Sequence, residues 1–520
     1  MRKLIENLLS IVSKLIEDFG DKKGNLLRYK IGEAFSNFYT TNKDEISQTE
    51  NQLDVMMLSF YSEKGINADN LNELKSKNLS NWDKVKLVVS DWLNHKYSSD
   101  GYGITNLGYM QQFYRKYRNS PDSLELANQL EWSHNIELLK DKLIEDERKY
   151  YLKRAIKEKW TVKELQKQIK DEAYDDFMVA IENSNFKYRI EKVFIKNYKS
   201  IVQLTIEQPS QFLVFAGANA TGKSNIFEAI EFLMHSAMTQ GTIVFDIFGG
   251  DKKVMNYAAQ KDRLTNNWPM EIMLELSFGN EGKKHSIEFG IRYDFERRVL
   301  QKNFTGIPEL DKRIINSFSR IFIENKKRAE NKLKVYNKLW LDASNLSTIL
   351  KDILKEKRKR NEMNEWIQIL IPEIDKITIA QDLTGKEELQ VTEKTYPDRP
   401  FTGNLISEGT INIIALLTLF YQTDDPQFIC IEEPETGLNP AILHELVPFF
   451  REMKAKYNHH IWITTHSTSI VAELTEEELI IVSKKNGQTE IYPCKKGDFE
   501  EMKPDEAWMS NMLKGGGLPW

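Results

Sequence analysis

The chain has 520 residues, 41% of them hydrophobic and 29% charged, and 72 Lys and Arg face 77 Asp and Glu for a formal net charge of -5. That length accommodates about three domains of roughly 100 to 200 residues each, and with a mean hydropathy of -0.51 the composition suits a globular protein with many exposed helices rather than a membrane-embedded or disordered chain. A global basic excess for nucleic acid is excluded, so any such contact has to use local patches.

The first residues, MRKLIENLLSIVSKLIEDF, place Leu4, Leu8, Leu15 and Phe19 at helical spacing with charges between them, which predicts an amphipathic helix and not a signal peptide. Residues 1–80 read as a helical N-terminal region broken by polar turns at Asp21–Gly24 and near Asn67–Ser80. Helical texture continues through 81–180, past a Gly/Ser-rich turn at Ser98–Gly103. Thr161 with Glu164 three residues later has the form of a capping box, in which each side chain satisfies the other's free backbone NH.

At Tyr188 the pattern turns to strands: YRIEKVFIKNYKS and SIVQLTIEQ alternate apolar and polar residues, and the short apolar run FLVFAG follows. An α/β domain is expected over 188–485, carrying a charged helical insertion at about 310–370 and followed by a tail, 486–520. The most apolar stretch, Ile411–Tyr421, is interrupted by Asn412 and Thr418 and falls short of the ~18 residues of a membrane span. Two cysteines, Cys430 and Cys494, stand outside any CxxC or Cys/His cluster, so neither a disulfide framework nor a zinc site is expected. A reducing, cytoplasmic setting without membrane contact is the simpler reading.

The chemistry concentrates in four segments. Gly217-Ala-Asn219-Ala-Thr-Gly222-Lys223-Ser224 is a full GxxxxGK[ST] between an apolar strand and a helix. Backbone NH groups of such a loop wrap phosphates, Lys223 would reach the β and γ phosphates of ATP, and Ser224 would ligate Mg2+. Phe428–Ile431 is a short apolar run ending in Glu432 and Glu433; the first acid would hold the metal shell through water, and the second would polarise the attacking water. Ser407-Glu408-Gly409-Thr410 opens a helix whose N-terminal NH groups and dipole can present themselves to a phosphate, although the same residues also make an ordinary helix cap. His466 lies just beyond the apolar run Ile461–Thr465, a place for a γ-phosphate sensor or for a purely structural imidazole.

In this order the P-loop, SEGT, IEEPETGLNP and THS resemble the ABC-type ATPases of the SMC, RecF and OLD-like group, and Phe194-Ile-Lys-Asn-Tyr-Lys-Ser200 looks like that group's opening strand. The resemblance implies an α/β P-loop head. It also implies a homodimer, or a higher even oligomer, through ATP-bound heads, each P-loop facing Ser407–Gly409 of its partner, with Asn439 in the D-loop GLNP at the interface. The first acid is Glu432 where ABC transporters usually have Asp, which suits the OLD-like pattern.

Residues 81–170 carry a second resemblance, through GYGITNLGYMQQFYRKY, LEWSHNIELLK and YYLKRAIKEKWTVKELQKQI, to the N-terminal domain of YhcG-type PD-(D/E)XK nucleases. Arg115, Lys116, Arg118, Lys153 and Arg154 with Tyr114, Tyr117 and Trp132 could meet DNA or RNA, or be solvated charges over a packed aromatic core. The run Lys355–Arg360 has the same two readings. No acidic cluster resembling a two-metal site follows His466, so nuclease activity is not expected of the chain and a separate nuclease or toxin subunit is. Together these imply an ATPase of an anti-phage defence or DNA-surveillance system that couples dimerisation to nucleic-acid sensing. A DNA repair or structural-maintenance ATPase, and a slow-turnover ATP clamp, are the alternatives.

Overall fold

The structure is a computed structural model and describes residues 2–19, 24–48, 60–64, 80–97, 100–140, 143–256, 269–279, 284–322, 337–381, 385, 387–499, 502–510 and 512–515. Two compact units divide the chain, Met1–Asp176 and Phe177–Trp520. The polar turns at 21–23 and 67–79, residues 98–99 of the Gly/Ser-rich turn, and 324–336 of the charged insertion lie outside the described residues.

The first unit is helical among its described residues. Helix α1 (Arg2–Phe19) turns Ile5, Leu8, Leu9, Val12 and Ile16 inward, while Leu4, Leu15 and Phe19 flank that stripe half-buried. Its neighbours α2 (Asn25–Gln48), α3 (Asn81–Tyr97) and α4 (Ile104–Tyr117) share one core with it, in which Ile31, Phe35, Val88 and Met110 are buried. An expected boundary at residue 80 is therefore not where the chain divides. Apolar faces on both sides of it close the same core. Four more helices follow in this unit among the described residues: α5 (Pro121–Asn128), α6 (Trp132–Lys140), α7 (Glu145–Lys157) and α8 (Val162–Lys170). The capping box at α8 is formed, with Thr161 N donating to Glu164 Oε2 at 2.7 Å and Glu164 N to Thr161 Oγ1 at 3.3 Å.

Among its described residues the second unit contains three sheets. An antiparallel sheet orders β2-β1-β4-β5-β6, from β1 (Tyr188–Tyr198), β2 (Ile201–Glu207), β4 (Met270–Phe278), β5 (His285–Asp294) and β6 (Val299–Asn303). The central sheet orders β14-β13-β3-β12-β11-β7, from β3 (Phe212–Ala216), β7 (Phe318–Ile321), β11 (Phe428–Glu432), β12 (His460–Thr465), β13 (Leu479–Lys485) and β14 (Gln488–Pro493). Its pairs are parallel except for the β13–β14 hairpin. Every residue of β3, β11 and β12 is buried, as expected of parallel strands covered on both faces. A small sheet of β8 (Ile374–Gln381), β9 (Glu387–Glu393) and β10 (Phe401–Thr402) packs with two helices, Leu346–Lys355 and Lys357–Leu370.

Two expected boundaries change here. The segment 310–370 is not wholly helical, because Phe318–Ile321 pairs in parallel with β11 and forms the edge of the central sheet. Four residues after a helix offer no alternation from which a strand could be read. Nor does the sheet end at 485, since β14 continues it by antiparallel pairing with β13. No helix of the described residues is long and apolar enough to cross a membrane.

At the start of β12, His460 Nε2 donates to Tyr188 O at 3.0 Å and His459 Nδ1 accepts from Gln427 N at 3.0 Å. Burial, the leading cause for both, holds each imidazole neutral and pushes its pKa down to about 4. The unfolded chain binds more protons than the folded one between that value and about 6.5, so stability is complete above about 6.5 and lost as pH falls through the window. Calorimetry between pH 7 and 4.5 is expected to show a falling melting temperature, with a shallower fall for His460→Gln; identical slopes would contradict this.

Candidate nucleotide site

Ligands of open parallel sheets sit beyond the carboxyl ends of the strands, and here those ends gather the predicted residues. β3 runs into Gly217–Ser224, β11 ends at Glu432 and Glu433, and β12 ends at Thr465 and His466. Register fixes them side by side: Thr465 pairs with Ala216 and Glu432 with Thr464, and Gly217 N donates to Thr465 O at 3.3 Å.

The loop closes on the N-terminus of the helix Lys223–Met238. Gly222 adopts φ +101°, open to glycine and costly for other residues. Lys223 is buried and its Nζ donates to Gly217 O at 2.8 Å and Ala218 O at 3.0 Å. Desolvation lowers its pKa, opposed by Glu433, Glu435 and Glu432. Asn219 stands exposed in the turn and Ser224 half-buried in the first turn of that helix.

Glu432 is fully buried and held by a residue that sequence reasoning missed. Arg320 of β7 donates to Glu432 Oε1 from Nε at 2.7 Å and also from Nη2. Its Nη1 donates to Glu231 Oε2, on the P-loop helix, at 2.5 Å. Glu432 Oε2 is buried without a hydrogen-bond partner among the described residues. Glu433, half-buried, takes a left-handed φ of +47° while its NH donates to Thr464 O at 3.0 Å. Backbone strain of this kind persists where surrounding structure over-determines it, and it clusters at functional sites. Burial raises the Glu433 carboxyl above its ordinary range against the lowering influence of His466, which moves it toward the pKa of a working base.

A second missed acid orients the histidine. Buried Glu435 Oε1 accepts from Thr465 Oγ1 at 2.6 Å and from His466 N at 2.8 Å, and lies 3.4 Å from His466 Nδ1. His466 itself is exposed. Behind the loop, Thr489 of β14 donates to Thr221 O at 2.8 Å, and Ser200 Oγ lies 2.6 Å from both Thr489 Oγ1 and Asn225 Nδ2.

Ser407 caps the helix Glu408–Tyr421, accepting from Thr410 N at 3.1 Å. Ser407 and Glu408 are exposed and Gly409 half-buried. Asn412 Nδ2 donates to Thr436 O at 2.9 Å, tying this helix to the segment after Glu433. Asn439 is exposed and caps Pro440–Tyr457, accepting from Ala441 N at 3.0 Å. Among the described residues no group of three or more His, Cys, Asp or Glu could hold a metal by itself, and Mg2+ in nucleotide sites ordinarily takes one or two protein ligands plus phosphate oxygens. Glu432 Oε2 fits that need.

The basic and aromatic candidates separate differently. Tyr117 is buried against Phe113, and Trp132 donates to Asn106 Oδ1 at 2.6 Å under the Arg28 guanidinium. Arg154 pairs with Glu158 at 2.5 Å. Only Arg115, Lys116 and Arg118 of that set are exposed. Within Lys355–Arg360, Lys355 pairs with Asp352, Arg358 with Asp424 and Lys359 with Glu356 and Asp424. Tyr117 and Trp132 thus serve packing, and Arg154, Lys355, Arg358 and Lys359 serve local ion pairing.

Residues 212–472, half of the 520, match the family model described as "AAA domain, putative AbiEii toxin, Type IV TA system". The chain belongs to this AAA-domain family. A DUF1016 N-terminal domain matches residues 35–176, so the YhcG-like resemblance holds and reaches upstream of residue 81. Curated relatives include the energy-coupling factor transporter ATP-binding protein EcfA1 of Methanospirillum hungatei, 36% identical over 52 residues, 10% of this chain and 19% of that protein. EcfA2 of Lactobacillus acidophilus is 24% identical over 147 residues, 27% of this chain and 43% of that protein. The chain thus spans less than half the length of these relatives. Solved structures that match include the SMC head domain from Thermotoga maritima (TM-score 0.34, 18% identity, 59% of this chain and 99% of that one). An SmcHead bound to the C-winged helix domain of ScpA (0.39, 18%, 58% and 97%) also matches. With scores this low, the architecture rests on the strand order of this chain's own sheets.

Proposed function

We propose that this AAA-family ATPase binds and hydrolyses Mg2+-ATP, pairs through its ATP-bound heads, and uses that pairing to sense nucleic acid and control a separate effector, as an anti-phage defence or DNA-surveillance subunit. The observation that carries the chemistry is the meeting of P-loop, Glu432–Glu433 and His466 at the carboxyl ends of three adjacent strands, where Glu432 keeps a buried oxygen without a hydrogen-bond partner among the described residues. Ser224, and Glu432 through water, would hold Mg2+, which would supply charge neutralisation at the phosphate oxygens. Glu433 accepts a proton from the attacking water, Lys223 and the loop NH groups hold the phosphates, and His466, oriented by Glu435, contacts the γ phosphate.

Pairing is supported by the exposure of Ser407, Glu408 and Asn439 together with the group's motif order. The family description and the YhcG-like unit support the defence reading, and exposed Arg115, Lys116 and Arg118 support nucleic-acid contact. The test is ATP hydrolysis with double-stranded DNA, single-stranded DNA and RNA, with Lys223→Ala as blank. Turnover above the blank and stimulated by one of them is expected. Turnover at the blank level would remove the ATPase, and a rate indifferent to all three would remove the sensor. Copurification of a neighbouring gene product tests the effector.

A further inference from the structure

We infer that Arg320 is a positioning residue for the metal: it fills one oxygen of Glu432 and thereby assigns the other to the Mg2+ shell. This rests on the Mg2+-ATP reading above. A carboxylate at a strand end can rotate and offer either oxygen, or both. Here the guanidinium donates twice to Oε1, from Nε at 2.7 Å and from Nη2. Both acceptor directions of that oxygen are thereby occupied, and Oε2 is left buried and unpartnered among the described residues.

The fork is itself anchored. Its third donor, Nη1, reaches Glu231 Oε2 at 2.5 Å, and the three side chains are 2% (Arg320), 0% (Glu432) and 7% (Glu231) exposed. Glu231 lies on the helix that begins at Lys223, so the guanidinium joins the P-loop helix to the acid at the end of β11. Arg320 can do this only because β7 pairs in register with β11, Arg320 opposite Cys430. One guanidinium thus bridges two buried carboxylates, and the P-loop Lys223 is a further cation acting on Glu432. A buried carboxylate oxygen left without a partner is costly, and a cation at Oε2 compensates it. Partners behind a metal-facing residue typically change metal affinity by about 10- to 100-fold when removed.

The experiment follows binding of a fluorescent ATP analogue to the full chain while Mg2+ is titrated, and again in EDTA, with Mn2+ binding read by electron paramagnetic resonance. Arg320→Lys keeps the charge and loses the fork; Glu231→Gln keeps an acceptor for Nη1 and replaces the charged anchor of the fork by a neutral one. Half-saturating metal is expected to rise about tenfold or more in each, with affinity in EDTA unchanged. A wild-type metal requirement in an Arg320→Lys protein that melts cooperatively overturns the proposal, as does equal weakening with and without metal. Should Arg320→Lys not melt cooperatively, Glu231→Gln decides by the same readings. Absence of any metal-dependent binding by the wild-type protein overturns the Mg2+-ATP reading and this proposal with it.

Discussion

Exchange of Glu433 for Gln is expected to reduce ATP turnover by about two orders of magnitude or more while leaving ATP binding in place. Glutamine keeps the shape of the side chain, and its backbone meets the same φ of +47°, so the change falls on proton acceptance alone. The wild-type carboxyl is raised above its ordinary range chiefly by burial, with His466 pulling it back. A carboxyl raised in this way binds a proton more readily than a solvated acid. Multiple-turnover and single-turnover rates measured on both proteins check this. A variant turning over at the wild-type rate would take the base role away from Glu433.

Exchange of Gly217 for Ala is expected to cost both stability and nucleotide affinity. A Cβ there would lie 2.2 Å from Val482 O and 3.3 Å from Thr221 Oγ1. Val482 belongs to β13, whose Ile481 pairs with Ala216 immediately before the glycine, so the clash is with backbone inside a sheet and no side-chain rotation relieves it. Overpacking of this kind typically costs about 1 to 3 kcal/mol. Because Gly217 O also accepts from Lys223 Nζ, displacing it moves the phosphate-binding loop. A lowered melting temperature together with at least tenfold weaker binding of a fluorescent ATP analogue is expected, since tenfold corresponds to about 1.4 kcal/mol. Wild-type affinity in a protein that melts as the wild type does would contradict the account.

What was legible in the sequence was what is contiguous in it. The P-loop, the apolar run before Glu432 and Glu433, and the run before His466 each carry strand, turn and functional residue within a dozen positions, and the sheet places them in that form. Arg320 was hidden because its partners Glu231 and Glu432 are 89 and 112 residues away. Its four-residue strand also has no period of its own. Thr489 and Ser200, 289 residues apart, meet only once β14 has joined the sheet. Glu435 stood in view within IEEPETGLNP, but its role depends on β12 bringing Thr465 and His466 to it. Among the aromatic residues of the helical unit, period alone could not tell a buried Tyr117 from an exposed stacking platform. Burial against Phe113 decided it.

Pairing of ATP-bound heads is the claim on which the proposed function depends most. Leu405, 71% exposed, stands two residues before exposed Ser407, and the proposed pairing would cover it. The direct measurement is the solution mass of Glu433→Gln by light scattering with Mg2+-ATP and with Mg2+-ADP. Twice the 60.8 kDa protomer in ATP, or a higher even multiple, and a smaller species in ADP are expected. The same single-protomer mass in both, with ATP demonstrably bound, would contradict it.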